Sequence, residues 1–173
     1  MVGKVLGFAL VLVGSTLAGN VVASSYGARS RQLGQLRVGL HLLKTEVAYA
    51  MGALPGALER VAAGLGCPVG DLFSRTAELL RSGEGLSPGE AWERSARAVF
   101  PETALDAGDL EVLLGLAGHL GMTDRDDQLR HLDLALERLA VREDAARAEQ
   151  AASERMWRQL GLLGGLALGI ALL

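Results

Sequence analysis

Cysteine is almost absent: Cys67 is the one thiol among 173 residues. A single thiol excludes an internal disulfide framework and a cysteine-based zinc site. It stands in a turn before Pro68 with no base beside it, and a catalytic thiol needs a neighbour that lowers its pKa. Excess positive charge is also lacking. Lys and Arg number 17 against 20 Asp and Glu, for a formal net charge of −3, so a basic nucleic-acid binder is excluded. Aromatic residues make up only 4%. No stretch alternates β-branched and polar residues as a strand does. There is no GxxxxGK[ST], GxSxG or HExxH, which removes the phosphate-cradling loop, the nucleophile elbow and the helix-borne zinc pair. The string Gly64-Leu65-Gly66-Cys67-Pro68-Val69-Gly70 lacks phosphate-loop spacing and a preceding strand, and reads as a loop. His41, His119 and His131 are far apart along the chain. Asp127 and His131 share a helix face at i,i+4 with Asp124 near, too few donors for a metal site. Glu46 reads either as a buried carboxylate or as an exposed one. No paired carboxylates stand out. No catalytic residue, cofactor or metal is expected, and the chain is not read as an enzyme.

Apolar residues are plentiful, at 50% hydrophobic, with mean hydropathy +0.27. With 21% charged residues, this composition excludes a disordered chain. The apolar excess sits at the two ends. No charge occurs between Lys4 and Arg29. The stretch Val5 to Ala23 would reach about 28 Å as a helix, close to the hydrocarbon thickness of a bilayer. A cleaved signal peptide is the alternative, and the length of the apolar run favours an anchor. Leu160 to Leu173, LGLLGGLALGIALL, carries no charged side chain. It reaches only about 21 Å, short for a span unless the bilayer thins or helices associate. A re-entrant or buried helix is its alternative. Trp157 precedes it, where an interfacial aromatic belongs.

Basic residues set the expected orientation. Arg29, Arg31, Arg37 and Lys44 follow the first apolar segment; Arg142, Arg147, Arg155 and Arg158 precede the second. Positive residues stay cytoplasmic, so the middle of the chain is expected in the cytoplasm and both termini outside. Small residues at Gly7, Gly14 and Ala18, and at Gly161, Gly165 and Gly169, suit close helix packing in lipid. They offer a route to self-association.

The middle has helical periodicity throughout. Leu33, Leu36, Leu40, Leu43 and Val47 form the first stripe, after a break at Tyr26-Gly27. Pro55 opens a second helix carrying Ala57, Leu58, Val61 and Ala62. A third carries Leu72, Phe73, Thr76, Leu79 and Leu80, and closes at Ser82 to Gly85. Ser87-Pro88 reads as an N-cap and first helical residue for a fourth helix with Ala91, Trp92, Ala96 and Val99, the tryptophan in the core. Pro101 restarts a short turn. Leu110, Leu113, Leu114, Ala117 and Leu120 form a fifth helix ended by Gly121. Thr123-x-x-Asp126 resembles a capping box for a sixth, which meets no Gly or Pro until after Arg158. Its first half is amphipathic through Leu129, Leu132, Leu136 and Leu139. Its second half is Ala-rich and charged, and reads as a solvated stalk. The expectation is all-α: a six-helix antiparallel bundle at 26–156, an N-terminal transmembrane helix at 1–25 and a short C-terminal transmembrane helix at 157–173.

Four pieces in order carry a family resemblance: Glu46-x-x-Tyr49; Ala91-Trp92-Glu93; Leu120-Gly121-x-x-Asp124-x-x-x-Gln128; and the glycine-spaced close from Leu160. Each is weak alone, but their order and spacing over essentially the whole chain resemble stage III sporulation protein AB. That resemblance implies a non-enzymatic component of the machinery joining mother cell and forespore in endospore formers. It implies a domain similar to the cytoplasmic domain of the type II secretion and type IV pilus platform protein. Platform proteins carry two such domains and this chain has one. The implied partners are the sporulation ATPase encoded beside it and other membrane proteins of the channel complex, in the mother-cell membrane facing the forespore. A membrane-anchored helical recruitment or regulatory protein unrelated to secretion is the alternative. The partner surface is expected at the charged turn Gly121, Asp124, Arg125, Asp126, Asp127 and Gln128. Capping by those acids at a helix N-terminus is the alternative and would by itself explain them.

Overall fold

A computed structural model describes residues 27–49, 53–121 and 124–172, with the backbone alone at 154, 157, 158 and from 160 onward. The described residues are all helical apart from turns, with no strand. Six α-helices follow: α1 (27–49), α2 (Leu54–Ala63), α3 (Val69–Arg81), α4 (Pro88–Val99), α5 (Ala107–Ala117) and α6 (Arg125–Leu172). A one-turn 3₁₀ helix, Phe100–Glu102, joins α4 to α5.

The helix starts are chemically specified. The Ser87 side chain accepts from the Glu90 N–H while Glu90 accepts from the Ser87 N–H. This reciprocal capping box satisfies two otherwise orphaned donors. Asp106 and Asp109 do the same for α5, so that helix begins three residues before its apolar stripe. α3 likewise begins at Val69, inside the glycine-rich string, directly after the cis Cys67–Pro68 peptide.

Each helix from α2 to α6 packs on its sequence neighbour. The expected core residues sit inside: Leu33, Leu36, Leu40 and Leu43 are at most 1% exposed, and Leu58, Val61, Leu72, Phe73, Trp92, Leu113, Leu132 and Leu139 are buried with them. Trp92 is fully enclosed, donates its indole N–H to the Leu113 carbonyl at 2.8 Å, and meets Phe73 edge-on at 5.5 Å between centroids. At Gly89, α4 comes close to the end of α5: a Cβ there would press into the Ala117 carbonyl.

α1 and α6 run antiparallel. Arg29 reaches Glu149, Arg37 reaches Glu143 and Lys44 reaches Asp133; the partner number falls as the α1 number rises. Gly27 lies beside the Gln150 side chain. The chain therefore enters the bundle at the same end at which α6 leaves it, and α6 continues as one uninterrupted helix to Leu172.

One expectation changes in part, and others fall on or beyond the edge of the described residues. The second half of α6 is a solvated stalk only in part: Glu143 and Ala146 are 3% and 1% exposed, with Arg37 and Gly34 of α1 against Glu143, while Val141, Asp144, Arg147, Glu149, Arg155 and Met156 stay exposed. Gly27 is helical and is the first described residue; Tyr26, the other half of the expected break, lies outside the described residues. Among the described residues no helix is long and apolar enough to cross a membrane. Residues 1–25, with Gly7, Gly14 and Ala18, lie outside the described residues. Gly161, Gly165 and Gly169 lie on the helical backbone near the end of α6.

Candidate interaction surface

The charged turn sits at the opposite end of the bundle from the chain entry, about 36 Å away along α6 measured from Glu149 back to Arg125. Its shape begins at α5. That helix closes at Gly118, and Leu120 plugs into the core at 3% exposure. Gly121 then reverses the chain at φ +75, and any Cβ there would collide with the Pro88 ring. A glycine is required both by the left-handed backbone and by that contact. Gly121 is thus fixed by the fold, whatever else the turn does.

Asp124 starts α6. Its Oδ1 accepts the Asp127 N–H at 2.9 Å and its carbonyl accepts the Gln128 N–H at 3.1 Å. The cap is Asp124 rather than Thr123, which lies outside the described residues. Its anionic oxygen meets the positive end of the helix dipole. Arg125 and Asp126 are exposed, and neither forms an ion pair among the described residues. Asp127 is half-buried, with Arg130 Nη1 at 3.6 Å and His131 Nε2 at 3.7 Å. Gln128 is half-buried beside it. The fold therefore brings all six residues to one pole, where Asp124 has a capping duty and Arg125 and Asp126 face outward.

The sequence reading missed the ionic lattice at the other pole. Asp109 is completely buried and lies between two arginines: Arg29 donates through Nε at 2.9 Å, and Arg142 donates through its own Nε. Asp106 pairs with both arginines, and Glu149 completes the cluster on Arg29. Burial opposes ionisation of Asp109, but the hydrogen bonds from Arg29, Arg142 and the Asp106 N–H outweigh it and hold the carboxyl below its ordinary range. The same contacts raise both guanidinium pKa values. The lattice ties α1, α5 and α6 together. One signal was available: the reciprocal Asp-x-x-Asp at the start of α5, a cap placing two carboxylates side by side. Arg29, Arg37, Lys44, Arg142 and Arg147, counted above for orientation, all have partners within the bundle.

The remaining candidates resolve simply. Glu46 is neither buried nor alone: Arg60 of α2 binds it, chiefly by hydrogen bonding, and holds its carboxyl low. Tyr49 is 84% exposed. Cys67 is exposed and donates to Asp71 Oδ1 at 3.3 Å, and that carboxylate pushes the thiol pKa up. This is the reverse of an activated nucleophile.

Three comparisons bear on the whole. The sequence pattern of the family described as Stage III sporulation protein AB matches residues 4–173. Over 170 residues the chain is 36% identical to the Stage III sporulation protein AB of Bacillus subtilis (strain 168), covering 98% of this chain and 99% of that one. A solved structure of Stage III sporulation protein AB superposes with a TM-score of 0.69 at 35% identity, covering 72% of this chain and 98% of its own.

Proposed function

The chain belongs to the stage III sporulation protein AB family, and from that membership we propose that it is a non-enzymatic membrane adaptor in a secretion-like channel between mother cell and forespore. In this reading the apolar termini anchor it in the mother-cell membrane, and the bundle at 26–156 faces the mother-cell cytoplasm. The charged turn binds the sporulation ATPase encoded beside it. The other membrane proteins of the complex contact the anchors. The observation that carries the reading is the polarity of the bundle. The first described residue, Gly27, lies beside Gln150 of α6, at the end from which α6 runs on to its apolar close, while the exposed Arg125 and Asp126 lie at the other. α6 joins the two as one helix of 48 residues, about 72 Å long. A continuous helix braced by α1 transmits displacement from one pole to the other better than a jointed chain would. Co-purification of the full chain with that ATPase from sporulating cells tests it. Recovery of the ATPase with the wild type and its loss with Arg125→Ala/Asp126→Ala support the adaptor. Equal recovery with both assigns the turn to capping alone.

A further inference from the structure

His119 and His131 are 12 positions apart in sequence and belong to different segments, yet the fold stacks their imidazoles face to face, 3.3 Å between centroids and 8° from parallel. His119 comes from the turn after α5; His131 stands one helical turn along α6 from Asp127. A donor atom from each of His119, Asp127 and His131 lies within 4.8 Å of the others. From this juxtaposition we propose a divalent transition-metal site, most suitably for Zn²⁺, formed by His119, Asp127 and His131 at the pole that carries the charged turn.

The spacing is the first argument. His131 Nε2 and Asp127 Oδ1 are 3.7 Å apart, too far for a hydrogen bond. Two ligands on one tetrahedral zinc ion are about 3.4 Å apart, given bond lengths of about 2.0–2.2 Å. The pair is therefore closer to the geometry of shared coordination than to that of a direct bond; the His119 donor lies within 4.8 Å of both, and the two rings must turn out of their parallel stack for their in-plane lone pairs to meet one ion. The donor chemistry is the second. Two imidazoles and one carboxylate suit zinc and other late first-row ions and are poor ligands for Ca²⁺ or Mg²⁺, which prefer all-oxygen sets. An i,i+4 pair on a helix is already aligned for one ion. Asp124 and Asp126 are close along the chain, and Arg130, whose Nη1 pairs with Asp127 Oδ1 at 3.6 Å, is the cation that a bound ion would displace. All three ligands are half-exposed, so an ion would keep an open coordination position for water or for a group from a partner. Binding would fasten the turn carrying His119 to the first turns of α6. The inference stands apart from the adaptor reading, since it concerns this chain and an ion alone.

The test uses the purified full chain without a histidine tag, stripped of metal, and Zn²⁺ followed by calorimetry with Co²⁺ as the spectroscopic reporter. The wild type is expected to take up a single ion in a visible-absorbing Co²⁺ complex and to melt at a higher temperature with Zn²⁺ than without. Replacing one ligand, as in His119→Ala, His131→Ala or Asp127→Asn, is expected to weaken binding by about 100-fold or more and to abolish the thermal shift. His119→Ala also removes the stack on His131, so circular dichroism of the apo form checks that this variant stays folded. Zn²⁺ uptake by the wild type no greater than by His119→Ala/His131→Ala overturns the proposal, as does full-strength binding by folded His119→Ala.

Discussion

Asp109 stabilises the fold through its charge. Its carboxylate is fully buried between Arg29 and Arg142; removing it strips buried donors of their acceptor while Asp106 and Glu149 still neutralise the arginines, a cost of about 1–3 kcal/mol. Asp109→Ala is therefore expected to lose that much in urea denaturation followed by circular dichroism. The pH dependence has a definite sign. The folded-state pKa of Asp109 is depressed, so its stabilisation is complete above the unfolded value of about 3.9 and is lost as pH falls through the folded one. Unfolding free energy should decline below about pH 4 in the wild type, and this component of the decline should vanish in Asp109→Ala. Trp92 is the apolar counterpart: the periodicity showed that it points inward, and its indole N–H finds the Leu113 carbonyl. The lattice was illegible for a different reason. Arg29, Arg142 and Asp109 are mutually remote in sequence, and nothing local about an arginine after an apolar segment distinguishes a topological signal from a structural partner.

At the scale of elements, the helices were readable where caps and stripes agree. Ser87, Pro88 and Glu90 specify the start of α4, and Ser87→Ala is expected to cost about 1 kcal/mol. Gly89 is harder to read, because a glycine in the first turn of a helix carries no sign of what approaches it. Gly89→Ala gains helix propensity but drives a methyl into the Ala117 carbonyl. A net loss of about 1–3 kcal/mol is expected, measurable as a lower melting temperature with unchanged helix content. The second half of α6 departs from its local reading at two residues for a similar reason. An Ala-rich, charged stretch has the composition of a solvated helix, and only the antiparallel pairing with α1 buries Glu143 and Ala146. The metal-ligand candidates show the same limit: Asp127 and His131 were visible as a pair, but His119 joins them only through the reversal at Gly121.

For the whole molecule, the decisive feature is that entry and exit share one pole. Cys67, the sole and exposed thiol, gives a direct report on orientation. In sealed spheroplasts a membrane-impermeant maleimide is expected to leave it unlabelled, with labelling appearing once the membrane is opened; labelling of intact spheroplasts contradicts a cytoplasmic bundle. The family was legible because its motifs run through the entire chain, whereas the binding face was legible only as a charged cluster with two explanations. Those explanations separate at Asp124. Asp124→Ser keeps a capping oxygen for the Asp127 N–H and removes the charge. The most direct measurement is therefore the affinity of the purified full chain, in membrane vesicles, for the adjacent sporulation ATPase, comparing wild type, Asp124→Ser and Arg125→Ala/Asp126→Ala. Saturable binding that weakens about tenfold or more in both variants, with melting temperatures unchanged, is the expected result, about 1.4 kcal/mol of contact energy. No binding by the folded, membrane-inserted wild type would contradict the adaptor.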